Sequence, residues 1–143
     1  MSAAGTVHAL THTGARRAAN EDALAVDDWI CANDMSRPKA LTLGADTPHA
    51  VFVADGMGGH PGGDVASHTV VRFCAERGRA VADRKDGERL ITDVNAHLYA
   101  AMANGQGPPG MGTTLAGAIR TPEAVILVNV GDSDDGDSDR WEV

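Results

Sequence analysis

Two short acidic segments hold the side chains best suited to chemistry. In Arg17-Ala18-Ala19-Asn20-Glu21-Asp22, two adjacent carboxylates follow an arginine by four and five residues. Carboxylate oxygens are ligands for a hard cation, and a guanidinium matches a phosphate. In Ala50-Val51-Phe52-Val53-Ala54-Asp55-Gly56-Met57-Gly58-Gly59, an apolar run stops at a carboxylate and then at three glycines within four positions. Glycines there let main chain approach a ligand closely. Together the two segments suggest metal-assisted phosphate chemistry.

Each feature also has a plainer reading. Asp55-Gly56 alone is a common turn dipeptide. A hairpin would need a second strand at once, however, and here glycines and a helical pattern follow, leaving Asp55 at the end of a buried strand. Glu21-Asp22 reads equally well as a solvated acidic pair. Arg17 has Arg16 beside it as a competitor for any role. Gly105-Gln106-Gly107-Pro108-Pro109-Gly110 spells G-x-G-x-x-G, but between a helix and a strand, the reverse of the dinucleotide-binding order. Gly112-Thr113-Thr114 reads as a structural turn, and Gly131-Asp132-Ser133 puts a second carboxylate at a strand end. The acidic run from Asp134 misses the EF-hand pattern: Gly136 falls on a ligand position and no Glu closes the loop. The six histidines form no H-E-x-x-H, so catalytic zinc has little support.

The elements that must position these groups belong to a chain of 143 residues, long enough for one domain with its own core. Aromatics are only 3%, so Val, Leu, Ile and Ala must build that core. The net charge of -8 disfavours nucleic acid and anionic membranes as partners. Residues 132–143 carry -5 of it, leaving -3 for the body. Cys31 and Cys74 match no metal or redox spacing and read as free thiols of a reducing compartment. The first residues lack a signal-peptide pattern and no apolar run would span a bilayer, so a cytoplasmic location is expected.

Pattern and turn signals predict strands at 6–12, 22–30, 50–54, 114–119 and 125–130, with a loop or hairpin connection over 32–48. Asp64 is the expected N-cap of a first helix whose apolar positions run from Ala66 to Val81, and a second helix is expected from about 87 to 104. Two consecutive helices between groups of hairpins favour a layered α+β arrangement over a doubly wound sheet.

Four segments in this order, 11–22, Val53-Ala54-Asp55-Gly56-Met57-Gly58-Gly59-His60, Gly110-Met111-Gly112-Thr113-Thr114-Leu115 and Asn129-Val130-Gly131-Asp132-Ser133, resemble the bacterial PP2C-type (PPM) serine/threonine protein phosphatases. The resemblance implies an α+β sandwich of two antiparallel β-sheets flanked by α-helices, with two Mn²⁺ or Mg²⁺ ions in a cleft at one end. It implies that Asp55 bridges both metals, that the Gly56 carbonyl ligates one, and that Glu21 and Asp22 hold metal-bound waters. Arg17 would bind the substrate phosphate, and Asp132 would serve a third, weaker metal site. The implied reaction is hydrolysis of phosphoserine or phosphothreonine in proteins by a metal-activated water, without a Ser or Cys nucleophile. Implied partners are phosphorylated proteins and, at family level, a bacterial Ser/Thr kinase and its substrates.

The likeness stops at Ser133. Members continue to Asp-Gly and Asp-Asn motifs that supply further metal carboxylates, and usually place Arg after Gly-Asp-Ser, where this chain has Asp134. His12 stands where an Asp is most often found. Residues 1–133 are therefore expected to form the N-terminal part of a catalytic domain, with 134–143 a disordered acidic tail. Its sheets are expected to be incomplete, with low stability or self-association through unpaired edges. The alternative is a truncated, catalytically silent fragment or a regulatory phosphoprotein-binding module.

Overall fold

The computed structural model describes residues 4–58 and 61–131. Among these residues seven strands and two α-helices follow one another as β1 Gly5–Ala9, β2 Asp22–Val26, β3 Trp29–Cys31, β4 Lys39–Leu43, β5 His49–Asp55, α1 Gly63–Arg77, α2 Arg84–Ala103, β6 Leu115–Arg120 and β7 Val125–Val130. Every pairing is antiparallel. A five-stranded sheet runs β3-β2-β5-β6-β7, and β1 pairs with β4 in a second, two-stranded sheet.

Alternation along β5 decides how the layers stack. Ala50, Phe52 and Ala54 point to one face and are buried, while Val51 and Val53 point to the other. On the first face Phe52, Ile119 and Val128 meet Val70, Phe73 and Cys74 of α1 and Leu90, Ile91 and Val94 of α2. With few large rings available, Phe52 fills the middle of this core, and Gly117 and Gly78 make room for it. A Cβ at either glycine would collide with the ring. Truncating such a ring costs about 3–5 kcal/mol. Small residues Ala23, Ala25 and Ala54 let α1 settle closely through Val71 and Ala75.

On the opposite face, Leu24, Val26 and Val51 pack against Val7, Leu41 and Leu43 of the two-stranded sheet. That small sheet covers the β2 and β5 side only. Val53, Val125 and Leu127 remain exposed on the larger sheet.

Several expectations are corrected by this arrangement. Residues 22–30 form two strands, because Asp27 turns the chain with φ 52°. Asp tolerates this left-handed conformation. Here its carboxylate also accepts the Ala50 N–H at 2.9 Å and lies 2.6 Å from His49 Nδ1. The 32–48 segment contains β4, whose half-exposed side chains hid it from periodicity. Residue 62, not Asp64, caps α1: Gly62 adopts φ 84°, and Asp64 sits in the first turn. The first helix ends at Arg77, with Val81 beyond a 3-10 turn. The second begins at Arg84, capped by Asp83, whose carboxylate accepts the Asp86 N–H at 2.9 Å.

Candidate metal and phosphate site

Asp22 opens β2 and Asp55 closes β5, and antiparallel register makes them direct partners across the two strands. Directly opposed residues of a sheet share a face, so both carboxyls reach the same cleft. This cleft of about 320 Å³ lies between the end of the small sheet and the large one, and Thr11, His12 and Thr114 also line it. Burial, then the charge of Asp55 and a hydrogen bond shared with its carboxyl, push the Asp22 carboxyl above the ordinary carboxylate range. The Arg17 guanidinium offsets this only in part. Two carboxylates with so little cationic compensation are a pair awaiting positive charge.

The main chain around Asp55 is fastened on both sides. Its carbonyl accepts the Thr113 hydroxyl at 2.8 Å and the Thr114 N–H at 2.9 Å, while its own N–H donates to Thr114 Oγ1 at 3.1 Å. The two threonines that the sequence offered only as a turn are thus the clamp that orients Asp55. The sequence signal was a pair of β-branched hydroxyls opening a strand.

The other segment is tied in through Glu21. Its carbonyl accepts the Gly56 N–H at 3.0 Å and the hydroxyl of fully buried Ser67 at 2.6 Å. Asn20 shapes the approach, accepting the Asp22 N–H at 3.1 Å and donating to Thr11 Oγ1 at 3.0 Å. Gly56 is required here because a Cβ would run into the carbonyls of Gly63 and Glu21, both main chain.

Arg17 Nη1 lies 3.9 Å from Glu21 Oε2, and Gly58 is packed beneath the guanidinium so tightly that a Cβ would strike it. Arg17 therefore takes the position over the glycine loop, with the Glu21 carboxylate beside it. Asp132 lies outside the described residues, as does the tail from Asp134. Among the described residues, no three His, Cys, Asp or Glu side chains converge as a ready-made metal cluster. The donor set is two carboxylates in an open cleft also lined by Thr11, His12 and Thr114, which fits a hard divalent ion that keeps several waters.

The Protein phosphatase 2C family profile matches residues 34–137. The chain is 37% identical over 95 residues to the serine/threonine phosphatase stp of Listeria monocytogenes serovar 1/2a, a match covering 62% of this chain and 38% of that protein. The crystal structure of the serine/threonine phosphatase Stp1 from Staphylococcus aureus superposes with a TM-score of 0.63 at 28% identity, over 92% of this chain and 47% of that one. That of the Mycobacterium tuberculosis serine/threonine phosphatase PstP/Ppp gives 0.59 at 25% identity, over 91% and 47%. The chain spans less than half the length of each of these proteins. The two-sheet α+β architecture is shared with the solved structures. Among the described residues, no helix is long and apolar enough to cross a membrane.

Proposed function

The chain belongs to the protein phosphatase 2C family, and from that premise we propose that residues 1–133 are the N-terminal part of a domain that hydrolyses phosphoserine and phosphothreonine in proteins with Mn²⁺ or Mg²⁺. The observation that supports this reading most is the Asp22–Asp55 pair, held across two strands at the mouth of a cleft.

Asp22, Asp55 and the Gly56 carbonyl would hold the ions, with Glu21 and Asp132 as further oxygen donors and Asp132 serving a third, weaker position. Bound there, the ions would supply positive charge beside the phosphoryl oxygens and acidify water at neutral pH. Arg17 would bind the phosphoryl oxygens. Its side chain is 69% exposed and gives up only a 3.9 Å contact with Glu21 to reach them. The Thr113 and Thr114 clamp keeps Asp55 from reorienting, which is the positioning that phosphoryl transfer demands of a protein. Water displaces the Ser or Thr oxygen from phosphorus, so no covalent enzyme intermediate is needed.

Partners on this reading are phosphorylated cytoplasmic proteins, including a bacterial Ser/Thr kinase and its substrates. The test is hydrolysis of an aryl phosphate and a phosphothreonine peptide, with Mn²⁺ or chelator, beside Asp55→Asn. Turnover that needs both Mn²⁺ and Asp55 supports the reading. A second reading, a phosphoprotein-binding module without turnover, draws on the gathering of only two carboxylates among the described residues. Phosphopeptide binding by a folded protein with no hydrolysis under any metal would favour it.

A further inference from the structure

The helix layer carries a second concavity. α1 turns Val70, Val71, Cys74 and Ala75 into the core, and the positions between them, Thr69, Arg72, Phe73 and Glu76, fall at helical spacing along one wall of a groove of about 400 Å³. His68 and Arg77 extend that wall, and His97 of α2 stands on the other. The volume is that of a small-ligand site, for which roughly 300–1,000 Å³ is usual. The groove shares no lining residue with the cleft at Asp22 and Asp55.

Charge sets this groove apart. The chain carries -8 overall, yet two arginines and two histidines line the groove and, among the described residues, Glu76 is its one carboxylate. That carboxylate is shared, with Oε1 3.8 Å from Arg72 Nε and Oε2 3.1 Å from Arg77 Nη1. One monoanion between two guanidiniums leaves positive charge over, before either imidazole takes a proton. Two of the donors are also held in place. Phe73 is only 8% exposed, the Arg77 guanidinium carbon lies 3.7 Å from its ring centroid, and the His97 ring packs on it with centroids 4.7 Å apart. Arg77 Nη1 further donates to the Phe73 carbonyl at 3.3 Å. A ring fixed in the core thus supports a guanidinium from α1 and an imidazole from α2 in the lining of one groove.

We propose that this groove is a second anion site and takes a phosphate monoester dianion. A carboxylate, Glu76, already stands between the arginines without balancing them, whereas a dianion with three terminal oxygens can accept from Arg72, Arg77 and His97 together. Thr69 adds a hydroxyl on the same wall. A small phosphorylated molecule and a phosphorylated residue of a polypeptide offer the same chemistry. The proposal does not depend on the phosphatase reading, since no group of the carboxylate cleft takes part.

The test is an NMR titration of the isotope-labelled full chain, without divalent metal, against phenyl phosphate and against a phosphothreonine peptide. Saturable shifts are expected at the amides of Thr69, Arg72 and His97. Arg72→Gln, at a side chain 68% exposed, should weaken binding about tenfold, and Glu76→Gln should tighten it about threefold. Arg17→Gln should leave it unchanged. Tighter binding of the peptide assigns the phosphoryl group to a polypeptide and equal binding assigns it to a small molecule, either outcome supporting the site. Shifts that chloride reproduces at equal ionic strength, or that ignore Arg72→Gln and Glu76→Gln, would overturn it. Shifts abolished by Arg17→Gln would put the anion at the carboxylate cleft and overturn the groove alone. Binding at the groove by a chain that hydrolyses nothing would instead count against the phosphatase reading alone.

Discussion

Asp22 and Asp55 face each other across β2 and β5 as register partners, and the carboxyl of Asp22 is raised by burial and by the charge and hydrogen bond of Asp55. Adjacent strands place like charges side by side, a destabilising pairing that the fold retains at the mouth of its cleft. The strain is electrostatic and a cation would relieve it.

In chelator at pH 7, Asp55→Asn should raise the melting temperature slightly, since it removes the charge whose repulsion raises Asp22. Asp22 is only partly buried, so screening limits the gain to roughly 0.5 kcal/mol. With Mn²⁺ at about a hundred times its Kd, the wild-type chain should gain roughly 2.7 kcal/mol and the variant almost nothing. Thermal denaturation with and without Mn²⁺ measures both. Equal stabilisation of the two proteins by Mn²⁺ would place the metal elsewhere.

The clamp on Asp55 predicts a split between stability and affinity. Thr114→Val removes the acceptor of the Asp55 N–H at an otherwise similar volume. One lost hydrogen bond costs about 1 kcal/mol of stability. Loosening the group that orients a ligand should weaken Mn²⁺ binding by about tenfold or more. Thr114→Ser keeps the oxygen and should restore affinity. Calorimetric titration giving the same Kd for all three proteins would remove Thr114 from the site.

Gly56 makes a sharper structural prediction. A Cβ there meets two main-chain carbonyls, of Gly63 and Glu21, and neither can swing aside as a side chain would. Gly56→Ala should therefore cost about 2–3 kcal/mol, an overpacking penalty near the top of its usual range. The melting temperature should fall by roughly 10 °C. A variant melting within a degree of wild type would show that the loop has another conformation at little cost.

How much of this was written in the sequence depends on whether the information was local. The strand ending at Asp55 was legible because apolar alternation and the glycines after it are contiguous, and β7 because its bounds are set by Thr121-Pro122-Glu123 and Gly131. The turn at Asp27 was not, since Asp28 and Trp29 continue a plausible strand and the reason to turn lies in His49 and Ala50, over twenty residues on. The opposition of Asp22 to Asp55 needed the pairing of β2 with β5, which no spacing specifies. The clamp by Thr113 and Thr114 spans nearly sixty residues and was missed for the same reason. Asp64 had the composition of a cap, but a left-handed glycine, Gly62, was the better fit to the turn into α1.

The two cysteines should differ in reactivity. Burial pushes the Cys74 thiol up to about 12 from 9.0, while Cys31 is only half buried and donates its thiol to the Asn33 carbonyl at 3.3 Å. A thiol reagent at pH 8 should label one cysteine in the native chain and two in denaturant, since the thiolate is the nucleophile. The proton linkage has a definite sign. The unfolded thiol ionises near 9 and the folded one near 12, so the folded state holds the proton more tightly between them. The stability this supplies is whole below pH 9 and is lost as pH rises toward about 12. Cys74→Ala should flatten that alkaline decline. A native chain that labels at both positions with equal rates would contradict the burial of Cys74.

The bare part of the large sheet predicts association. Leu127 pairs across to Ala118 and Ala118 to Val51, so the three share the face that the small sheet covers only at its β2 and β5 side. Leu127 is 66% exposed and Val125 60%, on a strand that ends the sheet with no further partner among the described residues. An exposed apolar edge strand is a template for pairing with another chain. The weight-average mass in sedimentation equilibrium should therefore rise with concentration, and Leu127→Lys should lower association by about tenfold by setting a charge on both the face and the edge. A wild-type chain that sediments as a monomer across the range and melts cooperatively would rule the association out.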